Sequence, residues 1–228
     1  MKSLSGIFAI ALTLALTACS EEQAEAPATP PAKTETAPPA AAPDSAPAED
    51  ARTANDGAGA RAEPFFAQMV LGDVTFQVES PNDSSINQVT VRAEGPEGPM
   101  GQMKAEADGT ITNVEIEDLN ADGYPEIYVY VTSAGSGSYG SLIAYASNRN
   151  KSLSRIYLTS IEDDPAISKG YMGHDEFAVG EGTFLRRFPV YKDGDTNAQP
   201  TGGTRQIQYK LEAGEAGWVL RQDRVVEF

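Results

Sequence analysis

An all-β domain is predicted over residues 64–228: a single antiparallel β-sandwich or barrel-like fold of about eight strands, preceded by a disordered linker. Three observations carry this expectation. Short segments alternate apolar and polar residues with period two, as a half-buried strand requires. Gly, Pro, Asn and Asp cluster between those segments, where tight turns need them. Only Ser160–Lys169 suits a helical turn, and Pro165 interrupts it. About 165 residues are enough to close one core.

Taken in order, Val74-Thr75-Phe76-Gln77-Val78 places three apolar side chains on one face. Gln88–Arg92 and Asn113–Glu117 repeat the pattern. Glu126–Thr132 is denser, with Ile127, Val129 and Val131 on one face and Tyr128 and Tyr130 on the other. Such a strand is covered on both sides or lies under a binding surface. Leu142–Ala146, Phe184–Tyr191, Arg205–Leu211 and Gly217–Arg221 complete the set. Turn chemistry separates them at Pro96-Glu97-Gly98-Pro99, Ala107-Asp108-Gly109, Asp193-Gly194 and Gly202-Gly203.

The segment before this domain reads as export and tethering. Lys2 precedes an apolar run from Leu4 to Ala18, about 15 residues, the length of a signal-peptide core and short of the ~20 a spanning helix needs. Leu16-Thr17-Ala18-Cys19 has the form of a bacterial lipobox, so residues 1–18 are expected to be a lipoprotein signal peptide with Cys19 as the lipid acceptor. The chain has no other cysteine for Cys19 to pair with. Ser20 at the next position favours the outer membrane. Residues 19–63 are rich in Ala, Pro, Glu and Thr, with no aromatic residue until Phe65, too little apolar surface to offset the entropy of ordering. They read as an extended tether.

From residue 64 onward, 13 Lys and Arg stand against 24 Asp and Glu, a net −11. That balance argues against nucleic acid and anionic lipid surfaces, and suits a basic partner.

Two segments are candidates for function. In Asp118-Leu119-Asn120-Ala121-Asp122-Gly123-Tyr124-Pro125-Glu126, side-chain oxygens fall at relative positions 1, 3, 5 and 9, with glycine at 6. This is the first part of a calcium loop. The alternative is a turn in which Asp and Asn bond their own backbone. No cofactor is expected beyond such a structural calcium. In Ser133-Ala134-Gly135-Ser136-Gly137-Ser138-Tyr139-Gly140-Ser141, a connection longer than a hairpin needs carries no charge in an acidic domain. Its glycines allow close approach, its hydroxyls offer donors, and Tyr139 supplies a rigid amphipathic anchor. A flexible loop with no partner is the other reading.

The remaining candidates are weaker. His174 is the sole histidine, so no Ser-His-Asp triad built on a second histidine and no histidine-rich metal site can form. Tyr171, His174 and Asp175 either line a second contact loop or are structural. Arg186 and Arg187 alternate across a strand, one facing water and one a carboxylate. Trp218 reads as a core anchor. No nucleophile–base arrangement is visible, while the plentiful carboxylates leave a glycosidase pair open.

In order along the chain, the Asp118–Glu126 run into Ile127-Tyr128-Val129-Tyr130, Ser136-Gly137-Ser138-Tyr139, Tyr171-Met172-Gly173-His174-Asp175-Glu176-Phe177, Arg187-Phe188-Pro189-Val190-Tyr191 and Gly202-Gly203-Thr204-Arg205 resemble the bacterial periplasmic inhibitors of I-type (invertebrate) lysozyme. The resemblance implies a β-sandwich-like fold, a periplasmic protein without catalytic activity, an I-type lysozyme as partner, and a Ser-Gly-x-Tyr loop that enters the lysozyme cleft. That loop falls here on Ser136, Gly137, Ser138 and Tyr139. Lysozymes cut with two carboxyl groups. A neutral loop with Ser136 Oγ and Tyr139 OH as donors can satisfy them, where an acidic one would be repelled. The alternative function is a calcium-stabilised cell-envelope binding or adhesion module built on Asp118–Glu126. Oligomeric state stays open, a dimer included.

Overall fold

A computed structural model describes residues 63–228. The expected signal peptide, Cys19 and all but the last residue of the expected tether lie outside the described residues.

Twelve strands make two sheets. The first holds β1 (Phe65–Leu71), β2 (Val74–Ser80), β3 (Ile86–Gly95) and β4 (Gly98–Asp108), paired antiparallel in chain order. The second runs β5 (Thr110–Glu117), β6 (Glu126–Thr132), β7 (Gly140–Asn148), β8 (Ser152–Leu158), β12 (Trp218–Glu227), β11 (Thr204–Ala213), β10 (Thr183–Pro189) and β9 (Glu176–Gly180). Its two end strands, β5 and β9, come back towards each other, so the sheet is a nearly closed barrel. A side chain bridges the seam: the Glu115 carboxylate accepts the Val179 N–H at 2.8 Å and also the Tyr130 hydroxyl. Between β8 and β9 lie one 3-10 turn (Ile161–Asp163) and a four-residue helix, α1 (Pro165–Ser168). Pro165 opens that helix, with Asp164 capping Ala166 N at 2.9 Å, where proline's missing N–H costs nothing.

The all-β expectation holds, and the barrel-like alternative describes the larger sheet. The differences lie in strand number and sense. Four strands beyond the eight expected are present, and β8 pairs with β12 in parallel, which the long crossover through β9–β11 permits. β1 escaped the alternation test because Phe65 and Met69 pack inward while Phe66 and Val70 stay exposed. In β4 the phase slips: pairing with β3 is irregular at Ala93/Glu94, so Met100 and then Met103, Ala105 and Ala107 take the inner face. Ala, Met, Lys and Glu give that strand little β propensity, and packing overrides it.

Two cores follow from this layering. Ile127, Val129 and Val131 of β6 point out of the barrel against Phe76, Val78, Val89 and Val91 of the smaller sheet. Tyr128 and Tyr130 point into it, against Phe184, Ile207, Tyr209 and Leu220. Tyr128 stacks on Phe184 with ring centroids 5.8 Å apart. The dense β6 sequence is thus explained by cover on both sides, and each large side chain so buried contributes roughly 1.5–3 kcal/mol. Trp218 lies half-buried against the barrel interior, as a core anchor does.

Where the sheets join, the Asn82 side chain acts as a short strand. Its amide accepts Ile111 N–H at 3.0 Å and donates to Ile111 O at 3.1 Å. Gly109 turns the corner at φ +131°, and a Cβ there would stand 2.1 Å from the Thr132 carbonyl oxygen. Only glycine fits.

Candidate functional site

The uncharged loop connects β6 to β7 at one end of the barrel. Its base is closed by Ser133 N–H donating to Tyr139 O at 2.9 Å and Tyr139 N–H donating to Ser133 Oγ at 3.0 Å. Within it, Ser138 N–H reaches Gly135 O at 3.0 Å, and Ser138 takes φ +44°. Ser136 is exposed and Tyr139 is 48% exposed. Among the described residues, neither Ser136 Oγ nor Tyr139 OH has a hydrogen-bond partner within the protein, so both are free to donate outward.

Two further loops hold this one from behind. The segment Tyr171–Asp175 lies against it: His174 N–H donates to Gly137 O at 2.7 Å, and the Tyr139 ring meets the Tyr171 ring edge-on at 5.6 Å. Gly173 sits at φ +86° with its Cα so near that a Cβ would be 2.1 Å from Gly137 O. Gly137 itself is buried, and a Cβ on it would stand 2.5 Å from the Tyr139 ring. Gly137 therefore serves the fit between loops, where the sequence suggested only freedom to enter a cleft. Gly135 has open space around it. The third loop, 192–201, is shaped by Asp195, whose carboxylate accepts Lys192 N–H at 2.7 Å and Thr201 N–H at 2.8 Å. From it Asn197 Nδ2 donates to Ser136 O at 2.6 Å, while Asn197 O accepts the Tyr191 hydroxyl. His174 Nε2 lies 3.2 Å from Asn197 Oδ1.

Beneath the loops is a buried ion pair. Asp175 and Arg186 side chains are 0% and 8% exposed, with Arg186 Nε 2.7 Å from Asp175 Oδ1. Asp175 Oδ2 accepts the Tyr171 hydroxyl at 2.6 Å and Gly140 N–H at 2.7 Å, and Arg186 also donates to Tyr171 OH at 2.8 Å. Burial acts to lower the Arg186 pKa, and the hydrogen bond and charge of Asp175 outweigh it, so the guanidinium is held above its ordinary value. Burial, then the bond to Asp175, pushes the Tyr171 hydroxyl well above the usual phenol range. Of the two roles open to Asp175, this geometry supplies the structural one: its enclosed side chain anchors Gly140 and so the start of β7. Arg186 and Arg187 divide as alternation requires. Arg187 is exposed, bonding Gln206 at 2.6 Å.

The Asp118–Glu126 loop lies at the other end of β6, roughly 20 Å away by the length of a seven-residue strand. Its turn chemistry is fully formed. Asp118 accepts the N–H groups of Asp122 at 3.0 Å and Gly123 at 2.8 Å, Asn120 Oδ1 accepts Asp122 N–H, and Asp122 accepts Tyr124 N–H at 2.9 Å. Carboxylate oxygens of Asp118, Asp122 and Glu126 also lie within 4.8 Å of one another. Glu126 is buried and accepts Leu119 N–H at 2.8 Å. Burial pushes its carboxyl up to about 8, against the lowering effect of that bond and with the charges of Asp118 and Asp122 adding to the rise.

Asn197 was not legible as a site residue, because its partner Ser136 is distant in sequence. The Asp193-Gly194 turn marked its loop but not what that loop touches.

The model of one protein family, periplasmic lysozyme inhibitor of I-type lysozyme, matches residues 100–168. That span contains the Ser133–Ser141 loop and the Asp118–Glu126 loop and ends before Tyr171. A solved structure of such an inhibitor from Aeromonas hydrophila is 30% identical, over 41% of this chain and 86% of that one, with a TM-score of 0.37. The A. hydrophila inhibitor in complex with Meretrix lusoria lysozyme is likewise 30% identical, over 40% and 80%, with a TM-score of 0.35. The relation rests on identity along the sequence, not on superposition. No curated protein matches.

Proposed function

We propose, from the premise that the chain belongs to the family of periplasmic inhibitors of I-type lysozyme, that it inhibits such a lysozyme by occupying its active-site cleft with Ser136–Tyr139. The complex is stoichiometric and involves no turnover. Ser136 Oγ and Tyr139 OH donate to the catalytic carboxyl groups, each bond to a charged acceptor worth about 1.5–3 kcal/mol.

One observation carries the reading. The loop is neutral and exposes two unengaged donors, yet its backbone is held by bonds to Gly137 O, Ser136 O and Gly140 N–H from three sides. Such a loop has given up its conformational entropy before binding, and preorganisation of this kind raises affinity. The net −11 of residues 64–228 favours encounter with a basic lysozyme. Cys19, as lipid acceptor, would hold the inhibitor at the outer membrane facing the periplasm. Metabolic labelling with a fatty acid, lost in Cys19→Ser, tests that part.

The deciding experiment is titration of the purified protein and its Ser136→Ala/Tyr139→Ala variant against an I-type lysozyme on cell walls. The wild type should reach a 1:1 endpoint and the variant should not. Equal inhibition by a folded variant would reject the loop assignment.

A second reading, a calcium-stabilised cell-envelope binding module, draws on the convergence of Asp118, Asp122 and Glu126. It uses the opposite end of β6 and does not compete with the first.

A further inference from the structure

Beside the loop, at the same end of the barrel, is a groove of about 420 Å³ lined by Tyr139, Ser141, Arg155, Tyr157, Ser160 and others. Arg155 and Tyr157 are two residues apart on β8 and both exposed, so they share the outward face of that strand. Tyr157 is 47% exposed, nearly the value of Tyr139. The Arg155 guanidinium lies over the Tyr157 ring, 5.4 Å from its centroid. Among the described residues no carboxylate comes within ion-pair distance of Arg155. Arg186 also lines the groove, but its charge is answered by Asp175. Glu162 also lines the groove, unpaired with Arg155.

We infer that this groove is a second contact surface for the same lysozyme, with Arg155 and Tyr157 receiving a carboxylate-bearing lip of its cleft. The inference rests on the inhibitor reading and extends it to residues outside the loop. Three observations support this occupant. Tyr139 belongs to both surfaces, so whatever embraces the loop also meets the groove. The charge is complementary: a cleft that cuts with carboxyl groups is locally negative, and an inhibitor domain of net −11 needs a cation where it enters. The arginine lies over an aromatic ring and, among the described residues, has no ion-pair partner, so less ordering remains to be done on binding. Tyrosine and arginine are also the side chains most enriched where interfaces concentrate their energy.

The test uses the full chain with Arg155→Glu, Arg155→Lys and Tyr157→Ala, leaving the loop intact. Inhibition constants and association rates are measured with an I-type lysozyme at low and high salt, and sedimentation with lysozyme-free peptidoglycan is followed in parallel. Arg155→Glu should raise the inhibition constant by about tenfold or more, slow association at low salt and narrow the gap at high salt. Tyr157→Ala should weaken inhibition by several-fold, and Arg155→Lys should recover part of the loss. If the wild type inhibits and all three variants stay within twofold of it, the inference fails while the inhibitor reading stands. If the wild type inhibits no I-type lysozyme, that reading fails and this one with it. If Arg155→Glu abolishes peptidoglycan binding and leaves inhibition untouched, the groove is a glycan site and the inference is overturned.

Discussion

Replacing Asp175 by alanine should separate the stability of the barrel from the readiness of its loop. The substitution leaves Arg186, whose side chain is 8% exposed, without a counter-ion, and strips partners from Tyr171 OH and Gly140 N–H at once. Removing one member of a buried pair costs about 3–5 kcal/mol, because the surviving charge stays desolvated. A domain of this size has about 5–15 kcal/mol to lose and shifts its melting temperature by about 2–4 °C per kcal/mol. Asp175→Ala should therefore melt about 6–20 °C lower while remaining folded at 25 °C. The double change Asp175→Ala/Arg186→Met removes the stranded charge and should recover part of that loss, without restoring inhibition, since Gly140 N–H still lacks its anchor. Circular dichroism melts and urea titrations of the three proteins, with lysozyme titrations alongside, give the numbers. A single variant within about 1 kcal/mol of wild type, or a double variant less stable than the single, would refute the claim that the pair is held by mutual compensation.

Asn197→Ala removes one bond to Ser136 O at the protein surface, so inhibition should weaken about two- to tenfold with little change in melting temperature. A large melting shift would make Asn197 structural instead. Glu126 gives a pH signature. Folded, it keeps its proton to about 8; unfolded, it loses it near its ordinary value of 4.5. Between these values the folded state binds more protons, so Glu126's contribution is fully present below pH 4.5 and is lost as pH rises through 8. Urea midpoints should fall from pH 5 to pH 9, and Glu126→Gln should flatten that slope; an unchanged slope would place the titration elsewhere. At pH 8, millimolar calcium should raise the melting temperature of the wild type and not of Asp118→Asn/Asp122→Asn. No shift in the wild type would leave the loop to its Asx-turns alone.

Much of this was legible along the chain. Val74–Val78 and Ile127–Val131 announce strands because their side chains face one medium at a time, or two cores of different composition. β4 was opaque for the opposite reason: its irregular pairing shifts the buried phase midway, and Met100, Ala105 and Ala107 carry no β preference. The loop Ser136–Tyr139 stood out by its missing charge. What holds it was hidden, since Asn197 and Gly173 meet it only through tertiary contacts and Arg186 acts on it through Asp175. Arg155 and Tyr157 gave no signal at all, because an exposed pair on a strand is ordinary until a neighbouring loop makes a groove of it.

Strand β6 raises a matter of folding fidelity. A strand apolar on both faces is poorly protected against slipping by one residue, because a slipped strand still buries everything. Here the tyrosines remove that ambiguity. Tyr130 reaches the Glu115 carboxylate across the pairing of β6 with β5, and Tyr128 shares Glu126 Oε2 with the Leu119 N–H. Moved by one position, both hydroxyls would enter the aliphatic core against Val78 and Val91 with no acceptor, and the aliphatic side chains would leave holes among the aromatic rings. The two polar tips thus act as an address. Since Ser133 directly follows β6, they also determine where along the barrel axis the Ser133–Ser141 loop emerges.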